Sequence, residues 1–237
     1  MGIPVRHPGS VEDIASMVRY LVTEGVIEGA GAVRQVMHCL DADENGSPTY
    51  NVVDVSLAPG SALDTSRSER STYASSACGV CGKTSIDAIT TKSRYAVAQD
   101  PVRLDPAVVA AMPEELRSRQ KVFDRTGGLH AAGIFTAAGE ALVVREDVGR
   151  HNAVDKAIGW AAREGLLPLE GRVLVVSGRA SFELTQKAVM AGLPALVSVS
   201  APTSLAVELA EEAGLTLVCF ARPPRVTAYT GLHRLGL

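Results

Sequence analysis

The sequence predicts an α/β protein, and its last third carries the prediction. Apolar, strand-like runs at residues 172–176, 195–200 and 215–220 alternate with stretches of helical pattern at 181–191 and 203–213. A β-α-β-α-β series of this kind implies parallel strands joined by right-handed crossovers, with helices covering the sheet. Upstream, an apolar run at 141–145 passes through the charged segment Arg145-Glu-Asp-Val-Gly-Arg-His-Asn152 into a helix with Val154, Ala157, Ile158 and Ala161 on one face, which is again strand, turn, helix. A chain of 237 residues with 46% hydrophobic content can build one substantial core, or two small ones sharing an interface, without staples.

In chain order, Ile14, Met17, Val18, Leu21 and Val22 recur at helical spacing, with Ser10 as cap and Gly25 as stop, so an amphipathic helix is expected over 11–26. Residues 33–39 and 50–57 alternate or cluster β-branched side chains around a turn at 41–48, the pattern of a β-hairpin. Residues 58–81 are rich in Ser, Gly and Thr and read as a long loop, a feature that compact domains usually keep for function. A further helix is expected over 105–119, opened by Pro106 in its first turn. Thr126-Gly-Gly-Leu-His130 then leads into small and apolar residues before the run at 141–145. A boundary near 100–106 divides the chain into a smaller α+β part, 1–100, with the hairpin and the loop, and an α/β part, 101–237. There is no internal repeat and no low-complexity tract.

Composition excludes several classes of function. A net charge of −3 disfavours indiscriminate nucleic-acid binding, and 4% aromatic residues provide few base-stacking platforms. Four cysteines are too few for a disulfide scaffold in a chain this long, and no charged-apolar-small leader opens it, so a reducing cytoplasm is expected. No apolar run approaches the roughly 20 residues that cross a bilayer.

The segment Ser75-Ser-Ala-Cys78-Gly-Val-Cys81-Gly-Lys83 places two thiols three residues apart between small residues. Such a pair can close a reversible disulfide, pass a sulfur atom, or supply half of a metal site, and nearby backbone N–H groups or Lys83 would favour the thiolate. Two small buried cysteines are the alternative, but glycine-flanked polar loops seldom form cores. Zinc chemistry fits poorly. Cytidine-deaminase-type enzymes place a His-x-Glu element before Pro-Cys-x-x-Cys, whereas His130 here follows the thiols and precedes Ala131 and Ala132. A closed structural zinc site would need His38, Cys39, His130 or Cys219 from afar. No permanently bound metal is expected.

Three turns form a second constellation. Ser177, Gly178 and Arg179 follow a buried strand and open a helix, where N–H groups and a guanidinium can receive an anion. Asp147, Arg150, His151, Asn152, Asp155 and Lys156 crowd another helix start. Phe220-Ala221-Arg222-Pro223-Pro224-Arg225 ends the last strand and carries two arginines to the same edge if the strands are parallel. Solvated arginines, a stiff basic loop and a satisfied structural histidine are the plainer readings of each turn alone. Together they suggest a pocket for a large phosphate-bearing ligand.

The thiol segment, Thr126-Gly-Gly-Leu-His-Ala-Ala132, the Arg145–Lys156 run and Ser177-Gly-Arg-Ala-Ser-Phe-Glu-Leu184 together resemble the FdhD family, the sulfur carriers required for formate dehydrogenase activity. The likeness extends from about Pro8 to about Thr230. It implies a cytidine-deaminase-like three-layer α/β core and a homodimer. It also implies passage of sulfur from a cysteine desulfurase to the molybdenum of a bis(molybdopterin guanine dinucleotide) cofactor, bound as substrate before insertion into formate dehydrogenase. By the same resemblance Cys78 matches the persulfide-bearing cysteine, Cys81 the second thiol, and residues 220–225 the stretch that meets the cofactor. Ser177, Gly178, Arg179 and His151 join them as candidate cofactor-binding residues. The alternative is a cofactor-binding chaperone whose thiols only ligate molybdenum or guard the site.

Overall fold

The computed structural model describes residues 2–4, 21, 27, 30–38, 52–61, 93 and 95–237, and the chain forms two compact units, Met1–Glu69 and Arg70–Leu237. The segment 95–100, which composition placed ahead of the domain boundary, therefore belongs to the second unit. In the first unit, β1 (Gly2–Pro4), β2 (Val33–His38) and β3 (Val52–Leu57) form an antiparallel sheet in the order β1-β3-β2. β2 and β3 are the two strands of the expected hairpin, paired Val36 to Val55 and His38 to Val53. The expected helix over 11–26 lies outside the described residues except for Leu21, and so does the loop beyond residue 61, with Cys78 and Cys81.

The second unit begins its regular structure with α1 (Pro106–Ser118) and α2 (Lys121–Thr126). Asp105 is the N-cap of α1, its carboxylate accepting the Ala107 N–H at 2.8 Å, and Pro106 occupies a position whose N–H would be orphaned anyway. Then come β4 (His130–Thr136), β5 (Ala141–Asp147), α3 (Arg150–Arg163), β6 (Arg172–Val176), α4 (Phe182–Met190), β7 (Ala195–Ser198), α5 (Ser204–Glu212), β8 (Thr216–Arg222) and β9 (Arg225–Ala228). The predicted β-α-β-α-β series is β6-α4-β7-α5-β8, with β6, β7 and β8 parallel.

The sheet runs β5-β4-β6-β7-β8-β9, with β4 antiparallel to both its neighbours and β9 antiparallel to β8. Alternation along the strands divides the core between two faces. Phe135, Val173, Val175 and Val197 meet Val109, Met112 and Leu116 of α1. Ile134, Leu174, Val176 and Leu196 meet α3, α4 and the Ala210 side of α5. The result is the three-layer α/β/α arrangement.

Three strands, β1, β4 and β9, and one helix, α2, were not anticipated. β4 is masked by Ala131-Ala-Gly133, residues of weak strand preference. Gly133 is required there, because a Cβ would lie 2.6 Å from the Phe135 ring and 3.1 Å from both Leu116 Cδ1 and the Val143 carbonyl. β9 and α2 are short, and each follows a turn that hides its period.

Arg234 ties the chain end to this body. It is fully buried, and its guanidinium donates to the carbonyls of Val97 (2.7 Å), Gly214 (2.8 Å), Asp100 and Ala98 and to Thr216 Oγ1. Gly231 lets the backbone come close enough for this, since a Cβ there would lie 2.6 Å from Thr216 Cα. Lysine cannot reproduce the planar fork. Both Arg234→Lys and Arg234→Ala are expected to lower unfolding free energy by about 3 kcal/mol or more, because several buried carbonyls lose a charged donor; urea denaturation of the full chain measures this, and a loss near zero would contradict it.

Candidate functional site

Strand direction decides where the polar residues meet. β6, β7 and β8 end at one edge of the sheet, and β4, running the other way, begins there, with His130 paired to Asp147 at the end of β5. That edge therefore gathers His130, the Asp147–Asn152 turn, the Ser177–Ser181 turn, Ser198–Ser200 and Phe220–Arg225. The carboxyl ends of parallel strands are the usual ligand side of an open α/β sheet. On the α1 and α2 face a cavity of about 970 Å³ opens, with His130, Ser177, Val199, Ala221 and Arg222 on the sheet side and Phe123 on the opposite wall. Its size suits a ligand as large as a nucleotide.

The turn residues are held by one another. Ser177 Oγ accepts the Ala131 N–H at 2.8 Å, while the Ser177 N–H donates to the Ala131 carbonyl. Ser198 Oγ donates to the Gly178 carbonyl at 2.6 Å and accepts the Ser200 N–H. A side chain at 178 would touch His130 Nδ1 at 3.4 Å, so the histidine packs over the glycine. Burial lowers the His130 pKa below its ordinary 6.5, and the neighbouring Arg150 and His151 lower it further. Burial pushes the Cys219 thiol up to about 12, so this cysteine stays protonated and acts as a core residue.

The Arg145–Asn152 run places two adjacent carboxylates on opposite layers. Glu146 pairs with Ala131 and projects to the α1 and α2 face, where its carboxylate accepts N–H groups at the start of α2. Asp147 projects to the α3 face. It accepts the Gly149 N–H at 2.9 Å and Asn152 Nδ2 at 3.1 Å, and it pairs with Lys156 Nζ at 2.7 Å. Burial alone would raise its pKa, but Lys156, Gly149 and Asn152 outweigh that and hold it below the ordinary value. Asp155, by contrast, is buried and pairs with Lys187 of α4 at 2.8 Å, which locks the two helices together.

The start of α4 already contains an anion. Glu183 sits in its first turn, with His151 Nε2 3.8 Å from its Oε2 and 3.4 Å from Ser181 Oγ. Burial raises the Glu183 pKa, but His151, its own backbone N–H and Ser181 prevail and bring it to about 2. An incoming phosphate at this helix end would face that carboxylate. The cations placed to attract it are the exposed Arg179, Arg222 and Arg225, the last two paired across the Pro223-Pro224 turn.

Phe220 sits at the bulge before that turn with φ 51°, a left-handed conformation that costs a non-glycine residue about 1–2 kcal/mol, and its ring is 43% exposed. Bulges of this kind re-aim side chains beside functional sites. His130 and Glu183 were missed as site residues. His130 stood in the Thr126–Ala132 motif, but its placement beside Ser177 and Arg150 needed the direction of β4. Among the described residues no group of three His, Cys, Asp or Glu side chains could hold a metal ion, and no helix is long and apolar enough to cross a membrane.

These features define an α/β protein with a cavity at the strand ends of a mixed sheet. The chain belongs to the FdhD/NarQ family, whose model matches residues 5–236. It is 53% identical to the sulfur carrier protein FdhD of Streptomyces avermitilis over 238 residues, covering 100% of this chain and 84% of that protein. It is also 53% identical to the sulfur carrier protein FdhD of Mycolicibacterium paratuberculosis, covering 99% of this chain and 85% of that protein. The crystal structure of a formate dehydrogenase accessory protein from Desulfotalea psychrophila superposes with a TM-score of 0.64 at 21% identity, over 99% of this chain and 88% of that one, which establishes the shared fold.

The Glu183 carboxylate makes a pH prediction. Its folded pKa, about 2, is below its ordinary 4.5, so its contribution to stability is present above 4.5 and is lost as pH falls from 4.5 towards 2. Glu183→Gln is expected to flatten the acid limb of the stability-against-pH curve in that window, as measured by urea denaturation at a series of pH values, relative to the parent.

Proposed function

We propose that this protein is a cytoplasmic sulfur carrier serving a formate dehydrogenase. In this reading Cys78 receives sulfur from the persulfide of a cysteine desulfurase. The sulfur then goes to the molybdenum of a bis(molybdopterin guanine dinucleotide) cofactor, the protein acting as a homodimer. The observation that carries the reading is the identity of 53% along the whole chain to proteins named sulfur carriers, together with the Cys78-Gly-Val-Cys81 pair in a glycine-flanked segment. The first step balances as thiol exchange. The Cys78 thiolate attacks the outer sulfur of the donor persulfide, a new S–S bond forms at Cys78, and the donor cysteine leaves as thiolate. Attack of the Cys81 thiolate on the Cys78 sulfur then releases hydrosulfide to the acceptor and leaves a Cys78–Cys81 disulfide, which a cellular dithiol reduces.

The cavity supports the acceptor half of the reading. The guanine dinucleotide ends of the cofactor are planar bases on pyrophosphates. Arg222 on the cavity wall, with Arg225 and Arg179 on the same sheet edge, supplies the cations that a pyrophosphate requires, and the exposed Phe220 ring offers a face for a base. Ser177, Gly178, Ala221, Pro223 and Pro224 shape the edge, and His151 is placed to hold the Ser181 and Glu183 side of the turn.

Incubation with a cysteine desulfurase and cysteine is expected to add the mass of one sulfur atom to the protein. The gain should disappear with reductant and in Cys78→Ala. A chaperone that only binds the cofactor would show no gain. For the cavity, the Arg222→Ala, Arg225→Ala double variant is expected to weaken GDP binding at least about tenfold in calorimetry, through loss of two charge-assisted contacts. Unchanged affinity would remove these arginines from the site.

A further inference from the structure

One residue of the Arg145–Asn152 run has no part in the chemistry above. The Glu146 carboxylate crosses from β5 to α2, where Oε2 accepts the Val122 N–H at 2.9 Å and Oε1 accepts the Phe123 N–H at 2.7 Å. α2 has six residues, and its N-cap, Gln120, makes no side-chain cap hydrogen bond. A helix of this length does not hold itself together, and its first N–H groups need acceptors. Glu146 supplies them from another element, with both oxygens engaged.

What α2 carries gives this cap its consequence. Phe123 and Asp124, with Gly127, Gly128 and Leu129 of the connection into β4, line the cavity opposite Arg222. The other ties of α2 are weaker. Arg117 pairs with Asp124 at 2.7 Å, but both side chains are about half exposed, so the pair contributes little. The Arg117 guanidinium also lies 4.7 Å from the Phe123 ring centre, an attraction between two groups on the same wall that does not connect them to the sheet. The Glu146 carboxylate, by contrast, joins that wall to the strand beside His130.

We infer that Glu146 is a positioning residue of the cavity: it contacts no ligand, and it sets the separation between the α2 wall and the sheet edge that a bound nucleotide must bridge. This rests on the reading that the cavity receives the nucleotide end of the cofactor. Its neighbour Asp147 turns to the other layer, where it accepts the Gly149 N–H and the Asn152 amide and pairs with Lys156.

The test is GDP binding to the full chain by calorimetry, with the parent, Glu146→Ala and Glu146→Gln. Amide exchange at Val122 and Phe123 and the thermal midpoint are followed in parallel. Glu146→Ala is expected to speed exchange at both amides and to weaken GDP roughly tenfold, the effect of losing hydrogen-bonded order in one wall. Its midpoint should stay near that of the parent. Glu146→Gln, which keeps one acceptor oxygen, is expected to recover part of the affinity, a rescue that mere loss of overall stability would not produce. If the parent binds GDP and Glu146→Ala binds it equally well, the positioning role is wrong while the cavity reading stands. Failure of the parent to bind GDP overturns the cavity reading and this role with it. Should Glu146→Ala not fold, Glu146→Gln decides, with a few-fold loss supporting the role and parental affinity overturning it.

Discussion

Because β4 runs against both β5 and β6, its first residue is delivered to the edge at which three parallel strands end. Were β4 parallel to β6, His130 would lie at the opposite edge, far from Ser177 and Arg222. The turn after β5 and the start of α3 would lose their place beside the β6–α4 turn as well. Strand polarity is set by pairing along the whole of β4, with Ala132 to Thr136 in register against Val176 to Arg172 and the same strand in register with β5. The site is thus a by-product of hydrogen-bond ladders that lie entirely in the core.

The cost of that convergence is visible at the same edge. Arg150 Nε is buried without a hydrogen-bond partner among the described residues, an expense of about 1–3 kcal/mol. Phe220 holds a left-handed backbone conformation. Elsewhere the buried polar groups are satisfied in detail, as with Arg234 on its carbonyls, the Asp155–Lys187 pair, and Thr230 Oγ1 between Leu215 and Leu217. The strain at Phe220, directly before the cavity-lining Ala221 and Arg222, is of the kind that binding sites commonly retain.

The adjacent carboxylates Glu146 and Asp147 show how a strand serves two layers at once. Successive side chains leave a strand on opposite faces, so Glu146 caps α2 on one layer while Asp147 holds Asn152 and Lys156 of α3 on the other. Such stiffness leaves the sheet as a fixed reference for the cavity wall. A carboxylate at the start of α4 also explains why the positive charge of this edge resides in arginine side chains rather than in a helix end.

Much of the architecture was legible in the residues. The β6-α4-β7-α5-β8 series followed from apolar runs and helical period, α1 from Asp105 and Pro106, and the hairpin strands β2 and β3 from their alternation, because periodicity and capping are local properties that a short segment carries with it. The turns at 147–152, 177–181 and 220–225 were likewise recognisable by their charge and glycine content. Tertiary structure alone decided that β4 is a strand at all, that it runs antiparallel, that Glu146 and Asp147 part to different layers, and that His151 of α3 meets Glu183 at the start of α4. Those outcomes depend on which strands pair and in which register, and pairing energy comes from partners distant in the chain, to which no local pattern points.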